Sequence, residues 1–111
     1  AGTFPPSGWS TSGGSNWMSK STNSAGGTSP EAVFYWEPDL TAVQRLISKT
    51  VDTSGMSTVT LSFKNFVSHY SGDYNLRVET SSNGNSWNTI ASYPAQNTSA
   101  STKTITISNS D

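Results

Sequence analysis

An all-β, antiparallel β-sandwich of jelly-roll type is the fold this sequence predicts, and three observations carry that expectation. Apolar residues recur with period two in several short runs, and no stretch sustains a helical period. Clusters of Gly, Pro, Asn, Asp and Ser separate those runs at intervals of about ten residues. The apolar content is scarce but heavy: Leu, Ile, Val and Phe number 18 in 111 residues, yet 4 Trp and 4 Tyr stand beside the 4 Phe. A third of the chain is Ser (22) or Thr (15), which by itself would raise the question of disorder. Disorder by composition needs high net charge as well, and here charged residues are 12% and the net charge is -1. A folded module over 1–111 is therefore expected, with a few large rings as its anchors.

The elements follow in order. Residues 1–30 are Gly, Ser, Thr and Asn around Trp9 and Trp17, so they read as a loop-rich segment pinned by two indoles, with a short strand at Asn16–Ser19. Ala32–Trp36 is an apolar strand, and Arg45–Lys49 a weaker one. Between them Pro38–Arg45 is the one helix-like stretch, too short and interrupted to stand. Thr58–Phe63 alternates cleanly, with Val59, Leu61 and Phe63 on one face and Thr58, Thr60 and Ser62 on the other. Its continuation to Tyr70 changes phase at Phe66, which a bulge near Lys64-Asn65 explains, as does a change in which neighbour covers the strand.

Ser71-Gly72-Asp73 reads as a tight turn into Tyr74–Thr80, where Tyr74, Leu76, Val78 and Thr80 face inward and Asn75, Arg77 and Glu79 outward. Asn83-Gly84 then signals a type I′ hairpin turn, so Trp87–Ala91 should pair antiparallel with Tyr74–Thr80. A polar loop through Pro94–Ser101 leads to a last strand, Lys103–Ser108, with Ile105 and Ile107 inward.

Several function classes fall away on composition. No run of about 18 apolar residues exists to span a membrane. The start Ala1-Gly2-Thr3-Phe4 lacks a signal-peptide plan, so a secreted form would be the mature chain. Six basic residues are scattered among seven acids, which leaves no electrostatic footprint for nucleic acid. The absence of Cys removes disulfides and thiolate-bound zinc. A Ser/Thr/Asn-rich, weakly charged surface fits a secreted or cell-surface protein.

Catalysis finds little to stand on. His69 is the lone His and reads as a strand-end residue, there is no nucleophile elbow or phosphate loop, and no spacing selects a carboxylate pair. The chain is read as no enzyme. Hard oxygen ligands suit calcium better than a transition metal, and Glu31 after the Gly26–Pro30 turn and Asp73 in its own turn are the candidate ligands of a structural Ca2+. Trp36, Tyr70 and Trp87 lie at strand ends, where exposed rings form platforms for sugars, and they are the candidate ligand-binding residues. One glycosylation sequon, Asn97-Thr98-Ser99, is no more than chance provides in so Ser/Thr-rich a chain.

Five stretches also resemble a known family when taken together and in order. They are Phe4-Pro5-Pro6-Ser7-Gly8-Trp9, Ala25-Gly26-Gly27-Thr28-Ser29-Pro30-Glu31, Leu46-Ile47-Ser48, Val59–Phe63 with Lys64–Tyr70, and Ser82-Asn83-Gly84-Asn85-Ser86-Trp87. The set resembles the choice-of-anchor J and cleaved-adhesin modules, jelly-roll domains similar to the MAM domain in secreted and surface proteins of Bacteroidota-like bacteria. The resemblance implies a non-catalytic extracellular module with a surface protein or glycan as partner, often with structural calcium, and places Glu31 after the same turn as the family's Glu. It implies no universal ligand and no active site.

Family members continue past the Ile105-Thr106-Ile107 strand, whereas this sequence stops at Asp111. The expectation is a jelly roll whose final strands come from elsewhere, leaving open edges. A second reading follows, that of a structural subunit in a surface filament or assembly, joined to other copies by strand addition at an open sheet edge.

Overall fold

A computed structural model describes residues 4–35, 42–69 and 74–108 of the chain. Every regular element among them is a strand: β1 (Ser10–Ser12), β2 (Trp17–Lys20), β3 (Glu31–Phe34), β4 (Arg45–Ile47), β5 (Thr58–Val67), β6 (Asn75–Thr80), β7 (Asn88–Pro94) and β8 (Thr98–Ser108). They pair antiparallel as four two-stranded ladders, β1–β4, β2–β3, β5–β8 and β6–β7. The protein is all-β and antiparallel, as its period-two pattern predicts. Two compact units divide the chain, residues 1–23 with 27–52 and residues 24–26 with 53–111.

In the N-terminal unit, short ladders are joined by side-chain amides. Asn16 immediately precedes β2, and it is 1% exposed. Burying an amide is costly unless each polar atom is bonded, and here all four are. The backbone N–H of Asn16 donates to Gln44 Oε1 at 2.9 Å, and its carbonyl accepts from Tyr35 N at 2.9 Å. Its Nδ2 donates to the Tyr35 carbonyl at 2.8 Å, and its Oδ1 accepts from Gln44 Nε2 at 2.7 Å. Gln44 precedes β4 and Tyr35 follows β3, so this one residue couples the β1–β4 ladder to the β2–β3 ladder. The chain reaches Asn16 through Gly13, where φ is +85° and a Cβ would collide with the Val43 carbonyl oxygen. Glycine is the residue this approach demands.

Trp17 lies opposite Phe34 in register and meets it edge-on, with ring centroids 5.3 Å apart at 75°. The expected strand at Asn16–Ser19 is thus present one residue later, while β1 is an addition. Ser10–Ser12 carries no apolar alternation to announce it, and it exists as a strand because β4 supplies a partner.

The C-terminal unit has the arrangement of a small β-sandwich. Val59, Leu61, Phe63 and Val67 of β5 and Ile105 and Ile107 of β8 form one half-buried row, while Thr58, Thr60, Ser62, Thr104 and Thr106 are exposed. Leu76, Val78 and Tyr93 form the matching row on β6 and β7. The Lys103 ammonium sits 5.2 Å over the Tyr93 ring and ties β8 to β7.

Several expectations need correction here. The pairing irregularity lies between Asn65 and Val67, but β5 does not change phase: the extra residue belongs to β8, and Phe66 stays on the outer face at 48% exposure. Tyr74 is not inward; it precedes β6, is 36% exposed, and rests against His69. Glu79 is half-buried rather than outward, and beside it the β6–β7 register shifts after Val78, with Ile90 of β7 as the extra residue. The last strand starts at Thr98, since β5 offers a pairing edge that Ser/Thr residues can use without an apolar signal.

The hairpin expected between β6 and β7 is antiparallel as predicted, but its turn is not type I′. Such a turn needs positive φ at both central residues, and of Asn83 and Gly84 only Gly84 (φ +77°) has it. The connection runs from Ser81 to Trp87 and is held by side chains instead. Ser81 Oγ accepts the N–H groups of Asn83 (3.2 Å) and Gly84 (2.8 Å), and Asn83 Oδ1 accepts those of Asn85 (2.8 Å) and Ser86 (2.9 Å).

Among the described residues no hydrophobic side chain is fully buried. The expected ring-anchored core is therefore realised as half-buried rows, with the interior amide network as its counterpart.

Two outcomes follow for stability. Asn16→Ala should cost about 1–3 kcal/mol in urea denaturation, because it strands Gln44 and Tyr35 partners. Adding Gln44→Ala should cost much less than its single effect, and a strictly additive double mutant would refute the coupling. Gly13→Ala should lower stability by more than about 1 kcal/mol, through collision and a forbidden φ together.

Candidate functional site

The N-terminal segment enters through a tight turn. Trp9 N–H donates to the Pro6 carbonyl at 2.9 Å, with Gly8 in the third position of the turn. The turn and the start of β1 at Ser10 bring the Trp9 indole to the surface, where it is 38% exposed. Trp17, by comparison, is half-buried.

Beside it opens a groove of about 350 Å³, lined by Phe4, Pro6, Trp9, Ser19, Pro30, Glu31, Ala32 and Leu46. Its size lies at the lower end of the roughly 300–1,000 Å³ range of small-molecule sites. Every lining residue belongs to the N-terminal unit. Six of the eight are apolar, and Ser19 and Glu31 contribute the polar side chains. β3 places Glu31 opposite Lys20 in register at this end of the ladder. Lys20 in turn sits 5.5 Å over the Tyr35 ring.

Thr22 Oγ1 donates to Glu31 Oε2 at 2.5 Å, a short charge-assisted bond that fixes the orientation of a half-buried carboxylate. Calcium requires about six to eight oxygen ligands. Glu31 and Thr22 supply too few on their own, and among the described residues no group of three or more His, Cys, Asp or Glu stands together. Backbone carbonyls and water would have to complete a calcium site at Glu31.

Comparisons of the chain with family models, with curated proteins and with solved structures return no match. The site must speak through its own residues.

Of the residues singled out in the sequence, Trp36, Tyr70 and Asp73 lie outside the described residues. Trp87 is half-buried at the end of the Ser81–Trp87 connection, immediately before β7. Glu31 is in the groove wall, and the aromatic residues with it there are Phe4 and Trp9. What marked Trp9 in the sequence was its place directly after a Pro-Pro-Ser-Gly turn, chemistry that presents a ring outward as readily as it buries one.

His69 keeps a structural role. Its backbone N–H donates to Asn97 Oδ1 at 2.8 Å, and Nδ1 lies 3.2 Å from the Tyr74 hydroxyl. No helix among the described residues is long and apolar enough to cross a membrane.

Glu31→Gln should lower stability by about 1 kcal/mol through loss of the charge-assisted bond from Thr22. Thermal melts with added calcium and with chelator test the metal expectation: a calcium-dependent stabilisation that vanishes in Glu31→Gln supports it, and melts of both proteins that ignore calcium refute it.

Proposed function

We propose that this protein is a non-catalytic, extracellular adhesion or accessory module that binds a surface glycan at the Trp9 groove. The observation that carries the reading is the exposed indole held beside an oriented carboxylate. A pyranose presents an apolar C–H face and a rim of hydroxyls, and the groove offers the complement. Trp9 supplies the flat apolar surface, with Phe4 and Leu46 beside it, and Glu31 supplies an acceptor for hydroxyl donors. Ser19 adds a donor and acceptor at the opposite polarity.

Nothing in this reading asks for chemistry at the ligand. A single half-buried carboxylate that already accepts from Thr22 is suited to binding, since glycoside cleavage requires two carboxylates flanking the bond. The low charge and the Ser/Thr-rich composition support a secreted or cell-surface setting. The resemblance to choice-of-anchor J and cleaved-adhesin modules supports the same setting, and with it a jelly-roll arrangement of the strands.

Trp9→Ala should weaken glycan binding at least tenfold, read by tryptophan-fluorescence titration or a glycan array, while far-UV circular dichroism and the melting temperature stay close to the parent. Glu31→Gln should lower affinity less, about three- to tenfold, as expected for one hydrogen bond to a charged group. Binding that survives Trp9→Ala unchanged would sink the groove as the site.

A further inference from the structure

We propose that the Ser81–Trp87 connection is a self-modifying site, in which the backbone nitrogen of Gly84 attacks the side-chain carbonyl carbon of Asn83 while the Ser81 hydroxyl relays the proton. The product is a cyclic imide, which water opens to aspartate or isoaspartate at position 83. This activity is independent of the glycan site, because the groove belongs to the N-terminal unit and the connection to the C-terminal one.

The groups that such a ring closure needs stand within hydrogen-bond distance of one another. Ser81 Oγ accepts the Gly84 N–H at 2.8 Å and donates to Asn83 Oδ1 at 3.2 Å. One hydroxyl therefore touches both the proton that the nucleophile must lose and the oxygen that must gain one. It also accepts the Asn83 N–H at 3.2 Å, so its two acceptor positions and its one donor are all engaged, and its orientation is fixed. The backbone N–H groups of Asn85 and Ser86 reach the same Asn83 Oδ1 at 2.8 and 2.9 Å. Two amides held on a carbonyl oxygen that becomes tetrahedral stabilise the charge developing there, as an oxyanion hole does. Asn83 is also the one Asn in the chain that is followed by Gly. With φ at +77° and no Cβ, Gly84 leaves its nitrogen open to the neighbouring side chain. Residues 82–86 are exposed, so water reaches the imide once it forms.

The steps balance within the chain and one water molecule. As the bond from Gly84 N to Asn83 Cγ forms, the N–H proton passes to Ser81 Oγ and the Ser81 hydroxyl proton passes to Oδ1. The tetrahedral carbon then carries a hydroxyl, the amino group and the new ring nitrogen. The Cγ–Nδ2 bond breaks as the amino group takes the hydroxyl proton, so ammonia leaves, the carbonyl is restored and Ser81 is regenerated. Water then adds to one of the two imide carbonyls and a C–N bond opens. Opening at Cγ gives aspartate, and opening at the backbone carbonyl gives isoaspartate, with the side-chain methylene now in the main chain. Either product adds a carboxylate to a chain of net charge -1.

Peptide-mapping mass spectrometry of the full 111-residue chain, incubated at neutral pH, tests this by following the mass gained when the amide of Asn83 becomes an acid. The folded protein should convert Asn83 faster than the same chain unfolded in guanidinium. Ser81→Ala should slow conversion in the folded state at least tenfold, toward the lower side of the roughly 10²–10⁴-fold that positioned proton transfer contributes. Ser81→Thr, which keeps a hydroxyl, should stay close to the parent. Where no group relays the proton, hydroxide drives the reaction, so conversion should rise more steeply with pH in Ser81→Ala than in the parent. Circular dichroism checks that each variant folds, and the comparison of folded with unfolded parent needs no variant. Slower conversion in the folded than in the unfolded parent overturns the proposal. So does a Ser81→Ala protein that converts as fast as the parent or faster, since the hydroxyl would then be a clamp on the turn and no relay.

Discussion

Eighteen Leu, Ile, Val and Phe side chains have to organise 111 residues, and that scarcity shapes everything else in the structure. Apolar burial is the main favourable term in folding, and ladders with one half-buried row each gather only part of it. No hydrophobic side chain among the described residues is withdrawn completely from solvent. The fully buried position belongs to an amide, Asn16, whose four polar atoms are bonded to Gln44 and Tyr35. Where a large core would align short strands by packing, directional hydrogen bonds do it here. A β1 or β2 of three or four residues has little packing of its own, so the amide bridge decides where each ladder begins.

The same scarcity accounts for the groove and the open edge. With few aliphatic residues to cover them, large rings are left partly outside, and Trp9, Phe34 and Phe66 each remain more than a third exposed. At Trp9 a turn brings the ring to the groove, and β3 brings a carboxylate to the same wall. At β5 the exposure is of backbone rather than side chain. Two-stranded ladders have an unpaired row on both sides.

Legibility followed apolar alternation closely. β5, β6 and the Ile105–Ile107 part of β8 announced themselves because every second residue is apolar on one face and polar on the other. β1 and the first third of β8 were silent, since Ser and Thr alternate with Ser, Thr and Ala and carry no burial signal. The Asn83-Gly84 dipeptide marked a turn at the right place, but Ser81 and Asn83 side chains bond the backbone of a longer connection and displace the tight hairpin. Glu31 stood out in the sequence as a candidate metal ligand from its position after a glycine- and proline-rich turn, and it lines the groove. Its companions did not stand out, because Phe4, Trp9 and Leu46 reach it from 27, 22 and 15 positions away, and no local pattern encodes such a meeting.

Composition and periodicity alone determined that this chain is all-β, antiparallel and organised by short strands, because the side-chain period of a strand is written directly in the order of apolar and polar residues. They also determined which residues face inward along β5 and at the end of β8. Pairing was another matter. That β1 joins β4, that Asn16 holds two ladders together and that Trp9 stands beside Glu31 were decided by tertiary structure alone. Contacts between distant segments depend on the summed energetics of every competing arrangement, which a period-two pattern does not contain.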